Sequence, residues 1–341
     1  MSKPRIWYLP TPSHTAGVFK EDTHRRLLAG FGVVANDTDR AVTAAEVEEG
    51  ISEFDGLVTG WGVLPLTETA LERGSRLKII VHSAGSVKYL FTPEMVAGHL
   101  VPRGIRVVSA RGAIALNVAE HAVGALIMMS RRWIHDALNI RDRGMWRDPD
   151  QAWSNQFLRG AVVGIVSASM VGREVIRLLR PFNVRMLVYD PYLSDWDAGR
   201  MNVERVDLNT LFEASDMVTI HAPFIPETDR MIGAEQLRLL RDDAVLVNTS
   251  RGSVLDHDAL YEEAKTGRIQ VQLDVTTPEP LPPDHRLRPL PNVVITPHSS
   301  GAGAFGHLEI GEITLSALEC FFGEKEPVPG EVDLAHWALI A

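Results

Sequence analysis

The chain has 341 residues, of which 45% are hydrophobic and 23% are charged, and its formal net charge is −10. This length exceeds what one hydrophobic core usually organises, so we expect two domains. The negative charge offers no attraction for phosphate backbones or anionic lipids, which argues against nucleic acid and membrane surfaces as partners. A small-molecule ligand is favoured instead.

The N-terminal sequence MSKPRIWYLPTP lacks the long apolar stretch of a secretory signal, and the longest apolar helical run, AVGALIMM, is short for a bilayer span. We therefore expect a cytoplasmic protein. Cys320 is the only cysteine, which excludes a disulfide within the chain and a thiolate metal cluster. No metal site is predicted, and Cys320 is interpreted as a core thiol.

The first 110 residues alternate short runs rich in Val and Ile with helix-like stretches. The strand-like runs are RIWYLP, FDGLVTG, LKIIVHS and IRVVSA, and the helix-like ones include DTHRRLLAGF and TAAEVEEGI. This alternation predicts a parallel sheet with helices on both faces. The next segment, NVAEHAVGALIMMSRRWIHDALNIRD, repeats apolar residues at helical spacing and predicts one helix of about seven turns.

A second alternating set follows, with the strand-like runs VVGIV, RMLVYD, MVTIHAP, AVLVNTS, IQVQLDV and NVVITP. It predicts a second doubly wound parallel sheet. The helical segment GHLEIGEITLSALECFFG is long enough to return to the first domain. The predicted fold is therefore α/β, with a Rossmann-type cofactor domain (111–301) inserted into a discontinuous, flavodoxin-like substrate domain (1–110 plus 302–341).

Polar residues follow nearly every predicted strand of the second domain. In open parallel sheets, ligands bind beyond the carboxyl ends of the strands, so these residues are candidates for one shared site. They are Ser167, Asp190, His221, Arg251, Asp274, Glu279 and His298.

The segment GIVSASMVGREV predicts a strand, a tight turn and a helix start, where a G-x-G-x-x-G loop normally holds a dinucleotide pyrophosphate. Only the last glycine, Gly172, is present, because Ser167 and Ser169 stand at the first two glycine positions. The first glycine usually serves the turn and the second the close approach of backbone to phosphate. Alone, the loop is a weak signal, because Ser167 and Ser169 could merely cap the helix, with Asp190 starting a turn.

Asp190 ends the next strand about 20 residues further on, where an acidic residue would bind the adenosine ribose hydroxyls. Its charge would repel the additional phosphate of NADP, and no arginine follows directly in YDPYLSD to receive that phosphate. The sequence therefore favours NAD over NADP as the cofactor.

Three further blocks occur in order: HAPFIPETDRMIGAEQLRLLRDDAVLVNTSRGSVLDHDAL, LDVTTPEPLP and NVVITPHSSGA. Together with NVAEHAVGALIMMSRR, they resemble the D-isomer-specific 2-hydroxyacid dehydrogenase family, over about residues 80 to 325. The resemblance implies an NAD-dependent enzyme that moves a hydride between nicotinamide and C2 of a small D-2-hydroxy acid or 2-keto acid. It also implies a homodimer that forms through the cofactor domain.

The resemblance assigns roles to individual residues. The catalytic residues would be Arg251, Glu279 and His298, and Arg251 would also bind substrate. Substrate would be bound as well by the loop Ser83, Ala84, Gly85 and Ser86. Apart from the resemblance, Trp61 follows a strand of the first domain and is a candidate to shape the substrate pocket. The cofactor would be lined by Ser167, Ala168, Ser169, Met170, Val171, Gly172, Asp190, His221, Ala222, Pro223, Thr228, Asn248, Thr249, Ser250 and Asp274, the last facing the nicotinamide carboxamide.

These roles are chemically reasonable for the residue types. Imidazole titrates near working pH, so His298 suits proton exchange with the C2 hydroxyl. Glu279 would hold that ring in one tautomer. Arg251 offers a fork of donors for the carboxylate and the C2 oxygen. Each residue alone could equally be an ordinary polar loop residue, and Trp61 could serve packing between domains.

Several alternatives stay open at this point. The two serines in the glycine loop favour weakened cofactor binding, as would suit a nucleotide-sensing protein resembling the C-terminal-binding-protein corepressors. A formate dehydrogenase-like enzyme would carry glutamine at the position of Glu279, and phosphite oxidation would retain all three catalytic residues. Lys88 is the only basic candidate for a substrate phosphate, which disfavours phosphoglycerate as the substrate.

Overall fold

A computed structural model describes residues 3–146 and 157–340, which include every residue of the predicted site. The chain forms two compact units. Unit 1 comprises Met1–Ile114 and Ala302–Ala341, and unit 2 comprises Ala115–Gly301. The sequence placed the corresponding boundaries at residues 110 and 301.

Unit 1 contains a five-stranded parallel sheet in the order β2-β1-β3-β4-β5. Its strands are β1 (Arg5–Tyr8), β2 (Gly32–Ala35), β3 (Gly56–Thr59), β4 (Ile79–His82) and β5 (Arg106–Ser109), and its helices are α1 (Pro12–Val18), α2 (Glu21–Gly30), α3 (Ala44–Gly50), α4 (Glu68–Arg73), α5 (Pro93–Met95) and the C-terminal α13 (Ala304–Phe322). All residues of β3 and β4 are buried, as expected for strands covered on both faces. The order is that of flavodoxin-like sheets, which confirms the predicted fold class.

Unit 2 contains a seven-stranded parallel sheet in the order β12-β11-β10-β9-β6-β7-β8. Its strands are β6 (Val162–Val166), β7 (Arg185–Tyr189), β8 (Glu204–Arg205), β9 (Met217–Ile220), β10 (Val245–Asn248), β11 (Gln270–Leu273) and β12 (Val293–Ile295); its helices are α8 (Met170–Leu179), α9 (Asp195–Met201), α10 (Leu208–Ala214), α11 (Ala234–Leu239) and α12 (His257–Ala264). The strand order reverses between β6 and β9, which defines the Rossmann-type switch point and confirms the predicted fold.

Short polar residues at helix starts explain where several helices begin. Thr43 and Glu46 form a reciprocal capping box at α3, and Asp207 accepts a hydrogen bond from the Thr210 amide at α10. Each cap satisfies an amide that has no partner within its helix, and is typically worth about 1 kcal/mol. The sheet strands contribute to the hydrophobic core. In unit 2, for example, Val163 and Ile165 of β6 are fully buried.

The single long helix predicted after residue 116 is wrong. Two helices occur there, α6 (Arg111–Ser130) and α7 (Trp133–Arg143), and they are separated where Arg132 adopts a left-handed conformation with φ of 55°. By length and composition α6 could cross a membrane, whereas the sequence prediction judged the run AVGALIMM too short for a bilayer span. Half of the most apolar stretch of α6 is buried inside the protein. Its buried residues join the core of unit 2, so we interpret α6 as a core helix.

Buried histidines make the stability of the chain sensitive to mild acid. His82 is fully buried, and burial, helped by nearby His14, lowers its pKa to about 4. At a pH below the ordinary pKa of histidine, His82 binds a proton in the unfolded chain but stays neutral in the folded chain. Protonation therefore favours unfolding. The free energy of unfolding should therefore fall by on the order of 1 kcal/mol per pH unit per buried histidine between pH 6.5 and 5.

Urea unfolding followed by circular dichroism across this pH range measures that loss. His82→Asn should flatten the dependence relative to the unsubstituted protein. An unfolding free energy that is constant from pH 6.5 to 5 would contradict the assignment of His82 as a neutral, desolvated imidazole.

Candidate active site

The three predicted catalytic residues follow neighbouring strands of unit 2. Arg251 comes after β10, Glu279 lies in the loop after β11, and His298 comes after β12. Because β11 is hydrogen-bonded to both β10 and β12, their loops emerge side by side at the carboxyl edge of the sheet.

His298 and Glu279 form a direct pair. The His298 Nδ1 and Glu279 Oε1 atoms are 2.5 Å apart, and both side chains are about half exposed, at 48% and 41%. A carboxylate on Nδ1 fixes the ring orientation and leaves Nε2 as the nitrogen able to exchange a proton with a ligand. The pair therefore has the arrangement of an oriented general acid or base.

Asp274 builds the turn that carries His298. Its Oδ1 accepts from the Ser299 amide at 2.9 Å and its Oδ2 from the Ser300 amide at 2.8 Å, and Thr296 Oγ1 also donates to Oδ1. The His298 amide donates to the Asp274 carbonyl at 2.9 Å. Burial alone would raise the pKa of Asp274, but the hydrogen bonds from Ser300, Thr296 and Ser299 outweigh it and hold the pKa below its usual range.

The backbone around Arg251 is held from below by a buried amide. Asn248, which is fully buried, donates from Nδ2 to the Arg251 carbonyl at 3.0 Å and accepts at Oδ1 from the Ser250 amide at 3.0 Å. Desolvation lowers the pKa of the Arg251 guanidinium, and the nearby Glu279 carboxylate acts in the opposite direction. The cation of Arg251 thus interacts electrostatically with the Glu279 carboxylate.

Gly252 brings the Arg251 loop against the Glu279 loop. A Cβ atom at Gly252 would lie 2.1 Å from the carbonyl carbon of Thr276, so only glycine permits this approach of the two backbones. The Thr276 amide in turn donates to Glu279 Oε2 at 3.4 Å. The contact therefore fixes where the arginine and the glutamate lie relative to one another.

The degenerate glycine loop still forms a strand-turn-helix phosphate cradle. Ser167 adopts a φ of 77°, the left-handed conformation that favours glycine. Ser169 Oγ caps α8 by accepting from the Gly172 amide at 3.4 Å and donates to the His221 carbonyl at 2.9 Å. A Cβ atom at Gly172 would lie 2.1 Å from the Ser167 carbonyl oxygen, so this third glycine is required. The loop geometry and the ten-residue helix fit a dinucleotide phosphate.

Asp190 directly follows β7, one residue beyond the predicted strand end, and its carboxylate contacts the same loop. Oδ2 accepts from the Ala168 amide at 2.8 Å and from Ser167 Oγ at 3.2 Å, and Oδ1 accepts from the Tyr192 amide at 2.8 Å. The acidic group is therefore beside the turn, where an adenosine ribose would be read, and ligand hydroxyls would share its oxygens with the loop.

The remaining predicted cofactor residues lie in the loops that follow β9 and β10. His221 is buried, its Nε2 lies 3.0 Å from Thr219 Oγ1, and burial lowers its pKa to about 3, which keeps it neutral. Its Nδ1 and the Thr249 hydroxyl are buried without a partner among the described residues. Thr228 Oγ1 donates to the Pro223 carbonyl and so shapes its own loop. Met170 and Val171 are the first residues of α8. Ala222 lies in the loop after β9, and Ser250 lies in the loop after β10.

The predicted substrate residues Trp61 and Ser83–Ser86 belong to unit 1. They follow β3 and β4, which are adjacent in its sheet, so both lie at the carboxyl edge. Sequence reasoning missed two histidines there: the Trp61 ring contacts the rings of His14 and His307, with centroids 5.6 and 5.2 Å apart. His14 lies in α1 and His307 in α13, so the two histidines are far apart in the sequence and no local pattern connects them with Trp61.

The family of the chain follows from comparison with known proteins. Residues 123–300 match the family model for the NAD-binding domain of the D-isomer specific 2-hydroxyacid dehydrogenases. The glyoxylate reductase of Thermofilum pendens is 36% identical over 266 residues, which cover 75% of this chain and 76% of that protein. The chain belongs to the D-isomer specific 2-hydroxyacid dehydrogenase family.

Other relatives differ in length and are named for different substrates. The D-3-phosphoglycerate dehydrogenase of Methanocaldococcus jannaschii is 33% identical over 280 residues, covering 82% of this chain but 52% of that protein. The chain thus spans about half the length of that relative. The structure of D-mandelate dehydrogenase from Rhodotorula graminis matches 97% of this chain and 98% of its own with a TM-score of 0.81, and at 21% identity it supports the fold alone.

The two serines of the glycine loop should affect stability in opposite directions. Ser167→Gly removes a left-handed conformation from a residue with a Cβ atom and should raise the free energy of unfolding by about 1 kcal/mol. Ser169→Ala removes the cap of α8 and should lower it by about 1 kcal/mol.

Urea unfolding of the two variants beside the unsubstituted protein measures both changes. A destabilised Ser167→Gly protein would mean that the hydrogen bond from Ser167 Oγ to Asp190 outweighs the backbone strain at this position.

Proposed function

We propose that the protein is an NAD-dependent oxidoreductase that interconverts a 2-keto acid and the corresponding D-2-hydroxy acid. The observation that carries the proposal is the His298–Glu279 pair beside Arg251, at the ends of three neighbouring strands. An oriented imidazole and a guanidinium supply the two functions that carbonyl reduction needs from protein groups, namely a proton and a polarising cation.

The cofactor would be held by residues that the geometry of the loop already brings together. The amides at the start of α8 would face the pyrophosphate, and Gly172 gives the backbone room. Asp190 would bind the ribose hydroxyls, and its charge favours NAD over NADP. The buried hydroxyl of Thr249, which has no partner within residues 3–146 and 157–340, is available to a polar group of the cofactor. When bound, NADH supplies the hydride that adds to C2.

His298 handles the proton. In the reduction direction, protonated His298 donates from Nε2 to the C2 oxygen as that oxygen gains negative charge. The neutral ring then regains a proton from solvent, which its half-exposed position allows. Glu279 holds the ring through Nδ1 and stabilises the charged imidazolium. In the oxidation direction the same ring accepts the hydroxyl proton.

Arg251 handles the negative charge of the substrate. Its guanidinium presents parallel donors that match a carboxylate, and one of these can also polarise the C2 carbonyl. From the family resemblance, the backbone loop Ser83–Ser86 is also proposed to bind a substrate carboxylate. The spacing of Arg251 and Glu279, set by the Gly252–Thr276 approach, keeps the cation beside the acid-base pair.

A second candidate function is nucleotide sensing with weak cofactor binding, as in a corepressor-like protein. The observations that favour it are the strained Ser167 and the engagement of Asp190 by the loop. The complete His298–Glu279 pair argues against it, because a sensor requires no acid-base group. Cofactor binding without turnover of any 2-keto acid would favour the sensor.

We also propose a cytoplasmic homodimer that forms through unit 2, with no role for membranes or nucleic acid. Large apolar side chains are exposed on the two helices that begin the unit: Leu116, Trp133, Leu138 and Ile140 are each 41% to 58% exposed. A second copy would cover such a surface.

The activity is tested by titrating the protein with NADH and NADPH through quenching of tryptophan fluorescence, followed by addition of 2-keto acids while NADH absorbance is recorded. NADH should bind more tightly than NADPH, and a 2-keto acid should oxidise it. His298→Ala should lower kcat by about 10²- to 10⁴-fold with little change in NADH affinity, because the ring acts on the substrate proton.

Binding of NADH without turnover of any 2-keto acid would overturn the enzymatic proposal in favour of the sensor. Failure of both nucleotides to bind would overturn the cofactor assignment itself, and would assign the loss to the serine-substituted loop.

A further inference from the structure

Unit 1 exposes two anchored aromatic rings at the carboxyl edge of its sheet. Trp61 is 42% exposed and Tyr89 is 43% exposed, and Leu64 in the same loop as Trp61 is 45% exposed. The Tyr89 hydroxyl donates to the carbonyl of Gly60, the residue before Trp61, at 3.2 Å. The two rings therefore flank one backbone segment, next to the loop that begins at Ser83.

Trp61 is held in place although it is exposed. Its ring contacts those of His14 and His307, with centroid distances of 5.6 and 5.2 Å and interplanar angles of 58° and 50°. Gly60 makes this possible, because a Cβ atom there would lie 2.5 Å from His14 Nε2. A large ring fixed before a ligand arrives loses little conformational freedom on binding, which favours affinity.

His14, which contacts the Trp61 ring, is uncharged at neutral pH. Burial is the largest effect on His14 and lowers its pKa to about 4; the backbone at Ser83 opposes this shift and nearby His307 adds to it. Among residues 9–18, 60–67 and 83–92, Lys88 is the only lysine or arginine. Its Nζ donates to the Ala338 carbonyl at 3.3 Å and lies 5.3 Å from the centre of the Trp337 ring. Lys88 is thus engaged by the C-terminal segment.

We infer that Trp61, with Tyr89, forms a subsite for an aromatic or similarly large apolar group on C3 of the substrate. The inference rests on the proposed function. It specifies the substrates as 2-keto acids with a large apolar group, such as phenylpyruvate, in place of 2-keto acids with a small or anionic group. A ligand ring would pack against the exposed part of the Trp61 ring while the Ser83–Ser86 loop receives its carboxylate. His14 and His307 act by positioning Trp61.

The test compares kcat/KM for phenylpyruvate, pyruvate and oxaloacetate with NADH. Phenylpyruvate should exceed pyruvate by at least about tenfold, since burial of an aromatic ring outweighs that of a methyl group. Trp61→Ala should reduce this preference by roughly tenfold, and Trp61→Phe should retain most of it. Trp146→Ala, which removes a tryptophan that is 81% exposed elsewhere, should leave the preference unchanged.

A preference for oxaloacetate would overturn the inference and would assign the subsite to an anion. Equal rates with phenylpyruvate and pyruvate would also overturn it, while the proposed dehydrogenase activity would stand. If no 2-keto acid is reduced, the proposed function fails, and calorimetric titration with phenylpyruvate decides the inference separately. Binding that Trp61→Ala weakens about tenfold would support it, and equal binding by both proteins would overturn it.

Discussion

The arrangement of the proposed catalytic residues depends on one buried carboxylate, Asp274. Its amide donates to the Asn248 carbonyl, and its carbonyl accepts from the His298 amide, both at 2.9 Å. Its side chain closes the turn at Ser299 and Ser300. A single residue thus connects the strand end that leads to Arg251 with the turn that carries His298. The hydrogen bonds that keep this buried group ionised also make the turn rigid.

A few contacts also hold the loop between β6 and α8, but one residue of this loop is strained. Gly172 is required by the Ser167 carbonyl, and Ser169 caps α8, so the helix start is preserved. Ser167 retains the backbone conformation of a glycine while carrying a Cβ atom, a strain on the order of 1 kcal/mol or more. Its hydroxyl reaches Asp190, which offsets part of that strain. The loop is therefore a modified cradle whose shape is maintained by side chains in place of missing glycines.

Much of the fold could be predicted from the sequence because alternating apolar runs report buried parallel strands directly. The family blocks likewise allowed Arg251, Glu279 and His298 to be named together. The break at Arg132 could not be predicted, since apolar spacing continues across it. The contribution of Asp274 to the His298 turn was missed because hydrogen bonds between loops leave no periodic signal. His307 was missed for a similar reason: it is close to Trp61 only in the folded unit.

Whether Glu279 acts through His298 can be tested by a double-mutant cycle on kcat. Glu279→Gln, His298→Ala and the double variant would be compared with the unsubstituted protein, with NADH affinity as the control. If the pair works as one unit, the double variant should be no slower than His298→Ala alone, because Glu279 has nothing left to orient. Losses that multiply in the double variant would contradict the account, because they would show that Glu279 acts independently of the histidine.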